Sequence, residues 1–206
     1  MSRIIDLRVV RKRSLDTVNE AMQRYASIHE ELNDLSYQRW LACMTLTDMH
    51  GAWERFAERR LVAALNHYPD HFLAENSVRG VSKLPAGLAD YLTRGGRKYF
   101  DFRSCADLIK IANTLVGKPN NPFRTIPKSF ASHLDAAAAL RNYILHESDA
   151  SWDSLKTQLM TNFNIKATPQ PGEFLDSIDH RNASPKKGHK RILVFAMVFE
   201  DVIRKT

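Results

Sequence analysis

The chain has 206 residues, 44% of them hydrophobic and 26% charged, enough apolar material for a core at the charge density of a soluble globular protein. Its formal net charge of +7, with eight histidines besides, favours a polyanionic partner such as nucleic acid or an anionic membrane, and fits equally a basic protein with no such partner. Two distant cysteines, Cys43 and Cys105, exclude a disulfide framework and read as buried thiols. With no secretory signal and no apolar run of the roughly 18 residues a membrane span needs, the expected location is the cytoplasm.

The chain begins with Arg3, Arg8, Arg11, Lys12 and Arg13 alternating with Ile4, Ile5, Leu7, Val9 and Val10. A short strand, a solvated tail, an arm over a phosphate backbone and the start of the first helix are all open here. Ser14 or Asp16 is placed to cap a helix reaching about Leu32, with Val18, Met22 and Tyr25 on its buried side. A second, longer helix is expected from Tyr37 to about Tyr68, closed by Pro69. Trp40, Leu41, Met44, Leu46, Trp53, Phe56, Leu61 and Leu65 form its apolar face, and Gly51 allows a kink or a close contact.

Residues 69–103 are broken by Pro69, Gly80, Pro85, Gly87 and the Gly95-Gly96 pair, leaving one or two short helices such as Ala86–Leu92. Arg94, Arg97, Lys98 and Arg103 interleave with Tyr91, Tyr99, Phe100 and Phe102. That composition suits single-stranded RNA, where aromatics stack on bases and cations hold phosphates. It suits equally a loop pinned to a core by its rings. Ser104 opens the next helix, with Leu108, Ala112, Leu115 and Val116 on one face, and Gly117-Lys118-Pro119 ends it. The following loop carries Arg124 and Lys128, which sit near the start of a further helix where phosphates can be met.

Ser151 and Ser154 resemble the start of a helix reaching Phe163, with Trp152 as its anchor. Residues 165–190, with Pro169, Pro171, Gly172, Pro185, Lys186, Lys187 and Gly188, read as a loop or a partly mobile lid. The stretch Lys190–Ile203 is amphipathic through Leu193, Val194, Phe195, Met197, Val198 and Phe199. Strand and helix both fit it, and its length favours a helix packed on the bundle or on a second protomer. The expected architecture is an all-α bundle in a single domain: a basic segment and helix over 1–36, a helical core over 37–164, and a polar loop with a closing helix over 165–206. No internal repeat or Gly-rich phosphate loop is present.

Chemistry concentrates in Leu140-Arg141-Asn142-Tyr143-Ile144-Leu145-His146-Glu147, at the end of a helix that starts at Ser129. At about 100° per residue, Leu134, Ala137, Ala138, Ile144 and Leu145 form an apolar stripe, and Arg141 falls inside it. A guanidinium there needs a partner or a groove. Asn142 and His146 are four apart and share a face beside the stripe. Histidine is the side chain that titrates near neutral pH, so His146 suits a general base or acid. Arg141 offers a cationic fork matching phosphate oxygens, and Asn142 can orient His146 or bond a phosphate or ribose oxygen. Arg141 and His146 diverge by about 140° on one helix, so two copies facing across a dyad make a better phosphate site than one. The alternative is structural: Arg141 buried against an acid such as Glu54, and His146 capping the helix.

Arg141-Asn142-x-x-x-His146 resembles the R-N-x-x-x-H signature of the HEPN superfamily, the "higher eukaryotes and prokaryotes nucleotide-binding" helical domains. Ala52-Trp53-Glu54-Arg55-Phe56-Ala57-Glu58-Arg59 is similar to the aromatic and acidic helix that precedes the signature in the RiboL-PSP type. The likeness covers about residues 37–164. It implies a helical bundle paired as a homodimer, with Arg141 and His146 of two protomers lining one cleft, Asn142 beside them and Glu54 in support. It further implies metal-independent endoribonuclease activity that leaves a 2′,3′-cyclic phosphate and a 5′-hydroxyl, with no cofactor, in a toxin or anti-phage defence role that an antitoxin protein controls in some members. Other members of the superfamily only bind RNA or proteins, which is the alternative function. The chain departs from the nucleotidyltransferase-silenced toxins, which carry a tyrosine two residues after the histidine, where Ser148 stands.

Metal ligation finds little support in the sequence. Pro69 interrupts the His67–His71 spacing, and His180 and His189 lie in the polar segment without evident partners. Arg97, Lys98, Arg124 and Lys128 are the expected RNA contacts.

Overall fold

A computed structural model describes residues 5–181 and 187–206, and within them every regular element is a helix. In chain order these are α1 (Leu7–Glu31), α2 (Leu35–His67), α3 (Asp70–Glu75), α4 (Ala86–Thr93), α5 (Cys105–Asn120), α6 (Lys128–His146), α7 (Asp149–Phe163), α8 (Pro171–Asp176) and α9 (Arg191–Lys205). The fold is all-α, as the 3.6-residue spacing of apolar positions requires. No helix among the described residues is long and apolar enough to cross a membrane.

The chain gathers into two compact units. One takes the described residues up to Ser14 with Glu54–Ile126 and Thr206; the other takes Leu15–Trp53 and the described part of Pro127–Lys205. In the first unit α3 packs on α5, and Phe56, Leu61, Leu65, Leu108 and Phe123 are fully buried. Ser104 caps α5, accepting from the Asp107 N–H at 3.1 Å. The helix breaks at Gly117, whose φ of 73° is open to glycine and strained for other residues. A Cβ there would stand 3.1 Å from the ring of His71, so close approach and backbone twist both select glycine. Asn121 fastens the chain beyond the break, donating to the Ile109 carbonyl at 3.0 Å and to Asn113 Oδ1 at 2.9 Å.

In the second unit α6 packs on α7 and α9, and α8 on α9. Four rings, His133, Phe163, Phe174 and Phe195, meet at centroid separations of 5.2–6.3 Å, mostly edge to face. Such geometries suit the ring quadrupoles. Near them α8 lies against α2, with Arg39 Nη1 2.9 Å from Glu173 Oε1. A Cβ on Gly172 would come within 2.6 Å of Arg39 Cβ.

Several expectations are corrected. The open N-terminal segment is helical from Leu7; Arg3 and Ile4 lie outside the described residues. Ser14 caps nothing, because α1 is already two turns old there and the hydroxyl donates back to the Val10 carbonyl at 3.1 Å. Trp40 and Leu145 lie on the apolar stripes but are 59% and 47% exposed. Helix α7 starts before Ser151, with Ser148 as its N-cap. Residues 165–190 contain α8, and an antiparallel bridge joins Ile178 to Lys190; Pro185 and Lys186 of that segment lie outside the described residues. The closing stretch is the helix that its length favours, α9.

Candidate functional site

Helix α6 carries the signature residues on its last turns. Its fully buried positions run from His133 through Leu134, Ala136, Ala137 and Ala139 to Leu140, and there burial stops. Beyond that point Arg141 and Ile144 are half-buried, and Asn142, Leu145 and His146 are exposed. The helix outruns the core that covers it, so its polar end meets solvent.

Arg141 Nη1 donates to Asn142 Oδ1 at 3.1 Å. Within its own unit no described carboxylate pairs with Arg141. The positive charge is felt one helix away at His50 of α2, which is 3% exposed. Burial first, and Arg141 second, push the His50 pKa down to about 3. His50 is therefore neutral at physiological pH and adds no like charge beside Arg141.

The turn after the site is built by local chemistry. Glu147 ends α6 in the left-handed region at φ 45°, its N–H donating to the Tyr143 carbonyl at 2.9 Å. The next residue, Ser148, caps α7 with Ser151 in a reciprocal box: Ser151 N–H to Ser148 Oγ at 3.3 Å, Ser148 N–H to Ser151 Oγ at 3.1 Å. Tyr143 and Trp152 lock the two helices with centroids 4.8 Å apart. His146 is thus held at a stiff helix–helix corner. Ser148, two residues after it, serves as the α7 cap.

The other expected residues spread out. Lys128 opens α6, so about 20 Å of helix axis separates it from Arg141, too far to share one phosphate. Glu54, half-buried, belongs to the first unit. Arg97, Lys98 and Arg124 are exposed and belong to that unit too. Of the expected set, Arg141 and Asn142 touch.

A second polar cluster has no counterpart in the sequence reading. Asp179, fully buried, receives two bonds from Arg181, Nε to Oδ1 at 2.8 Å and Nη2 to Oδ2 at 2.6 Å. Arg181 also donates to the Asn162 carbonyl at 2.9 Å, reaches His133 Nε2 at 3.1 Å and lies 3.8 Å from the Phe163 ring centroid. This bidentate, fully bonded pair ties the segment after α8 to α6 and α7. His133 was findable, since it shares a helix face with Ala136, Ala137 and Leu140. No period marks Asp179 or Arg181. Among the described residues no three His, Cys, Asp or Glu side chains gather as metal ligands.

Compared with known proteins, the chain matches no family model, no curated protein and no solved structure.

Proposed function

We infer that the protein is a metal-independent endoribonuclease of HEPN type, working as a homodimer, with Arg141, Asn142 and His146 as its site. The observation that carries this reading is the exposed end of α6, where a guanidinium held by an amide stands five residues along the helix from a solvent-accessible histidine. His146 removes or supplies the proton at the ribose 2′-oxygen or the leaving 5′-oxygen. Arg141 stabilises the charge that develops on the phosphate. Asn142 sets the guanidinium plane. The carbonyls at a helix C-terminus disfavour an anion, so one α6 end is a weak phosphate site, and the cations of two copies supply what one lacks. A toxin or anti-phage defence role, with an antitoxin protein as its control, fits such an activity.

The test is RNA cleavage with chelator present, comparing wild type with Arg141→Ala and His146→Ala and reading the new ends. Cleavage by wild type alone, leaving 2′,3′-cyclic phosphate and 5′-hydroxyl ends, supports the assignment. Undiminished cleavage by both variants refutes it.

A second reading is a helical module that binds RNA or protein without cutting. It is favoured by the angular divergence of Arg141 and His146 on one helix, about 140°. A folded dimer that binds RNA and leaves it intact decides for it.

A further inference from the structure

The segment from Ser77 to Arg103 in the first unit sorts its aromatic residues into two kinds. Phe100 and Phe102 are half-buried and pair at 5.6 Å between centroids. Tyr91 and Tyr99 are 61% and 67% exposed. Helix α4 ends in two left-handed glycines, Gly95 at φ 59° and Gly96 at φ 74°. Their N–H groups return to the Leu92 and Tyr91 carbonyls at 3.0 and 3.2 Å. This reversal, of the kind that satisfies helix-end carbonyls, brings the Tyr91 hydroxyl against Gly96, where a Cβ would stand only 3.2 Å from it.

Charge is sorted as well. Arg94 is a fastener: it donates to Glu58 at 2.6 Å, to Asp90 at 3.3 Å and to the Lys98 carbonyl at 3.4 Å. It thereby engages Glu58 and Asp90, while Asp101 of the same segment is exposed. Asp107 is engaged by the Arg103 N–H at 3.0 Å. Arg97, Lys98 and Arg103 are exposed and form no ion pair among the described residues. The Lys98 ammonium lies 5.3 Å from the Tyr99 ring centroid. A packing role explains the two phenylalanines and Arg94. It leaves the outward tyrosines and three uncommitted cations without a task.

We propose that the turn after α4 is a single-stranded nucleic-acid surface, with Tyr91 and Tyr99 as stacking platforms and Arg97, Lys98 and Arg103 as phosphate contacts. A paired duplex hides its base faces, while a single strand offers both faces and phosphates. The surface therefore prefers unpaired segments and reads little sequence. It deepens the ribonuclease reading, on which it rests for its biological substrate, by naming single-stranded RNA as the class delivered to that site.

The test is fluorescence anisotropy with a labelled oligo-dT of about 12 nucleotides, a strand that 2′-hydroxyl chemistry cannot cut. Wild type should bind it more tightly than a blunt duplex of equal length at equal salt. Tyr99→Ala should weaken binding about tenfold, with Tyr99→Phe close to wild type, and Tyr91→Ala should act likewise. Arg97→Gln and Lys98→Gln should each lower the slope of log affinity against log salt by about one. Equal affinity for duplex and single strand, indifferent to both tyrosines, would overturn the proposal. So would binding to phosphatidylserine vesicles without binding to oligo-dT, or a dimer that dissociates in Tyr91→Ala and Tyr99→Ala. The two readings fail separately: lost cleavage with binding kept removes only the nuclease, and kept cleavage with no oligo-dT binding removes only this surface.

Discussion

His133 accepts a hydrogen bond from Arg181, Nη2 to Nε2 at 3.1 Å, while its Nδ1 lies 2.7 Å from the Ser129 carbonyl. A carbonyl can only accept and a guanidinium can only donate, so the two partners dictate one state: neutral imidazole with its proton on Nδ1. Burial lowers the His133 pKa, and the Arg181 charge adds to the effect. A second proton, on Nε2, would face a cation and break the contact.

Acid sensitivity follows from this. His133 and His50 both have pKa values below the ordinary histidine range when folded. Below about pH 6.5 the unfolded chain binds protons that the folded chain does not, so folding weakens as pH falls. The loss should begin near that pH and continue toward about 3 for His50. Urea midpoints between about pH 7.5 and pH 5 should fall, and His50→Gln should flatten the dependence. A flat wild-type profile contradicts both assignments.

Removing Arg181 takes the bidentate partner from the fully buried Asp179 carboxylate, which then keeps only the more distant charge of Arg191 among the cations named around it. Arg181→Met should cost about 3–5 kcal/mol in chemical denaturation. Combining it with Asp179→Asn should recover part of that loss, because the stranded carboxylate is gone. Additive losses in the double variant would mean the two side chains act independently.

Gly172 is fixed by contact rather than by backbone twist. An added Cβ meets Arg39 Cβ at 2.6 Å and the Arg39 carbonyl oxygen at 2.9 Å. The oxygen is main chain and cannot swing aside. Gly172→Ala should destabilise by about 1–3 kcal/mol, read as a lower denaturant midpoint. An unchanged midpoint would show that α8 shifts freely on α2.

At the corner after His146, Ser148→Ala removes the α7 cap and should cost about 1 kcal/mol. Ser148→Asn, another good capping residue, should restore most of it. Thermal melts of the three proteins decide.

For the proposed cleavage, Asn142→Ala frees the Arg141 guanidinium from its amide partner and should slow turnover by about tenfold. His146→Ala, losing proton transfer, should slow it by about a hundredfold or more. If Asn142→Ala is as severe as His146→Ala, the amide itself touches the reacting phosphate.

Much of the fold was legible because helices announce themselves by spacing. Val18 and Tyr25, or Leu134 and Ala137, mark buried faces that the structure keeps, while Met22, Ala138 and Ile144 of the same expected faces are half-buried. Trp40 and Leu145 mislead for one reason: periodicity tells which face is apolar, not where the opposing element stops. The polar stretch after Phe163 has no period, so neither α8 nor the partnership of Arg181 with His133, 48 residues away, left a trace. At the candidate site, the Arg141–Asn142 contact needs only adjacency along the helix. The solvent exposure of His146 depends on how far the core reaches, which sequence spacing does not encode.

Helix α2 contributes its residues up to Trp53 to one unit and those from Glu54 to the other. Neither unit is a contiguous stretch of chain, so no single cut releases either intact. On the ribosome, the early half of the second unit emerges with faces such as Arg39 and His50, whose partners are Glu173 and Phe199. All of Glu54–Ile126 is synthesised in between. The first half must wait uncovered through that interval, which makes the nascent chain a client for factors that shield apolar surface until α6, α8 and α9 arrive.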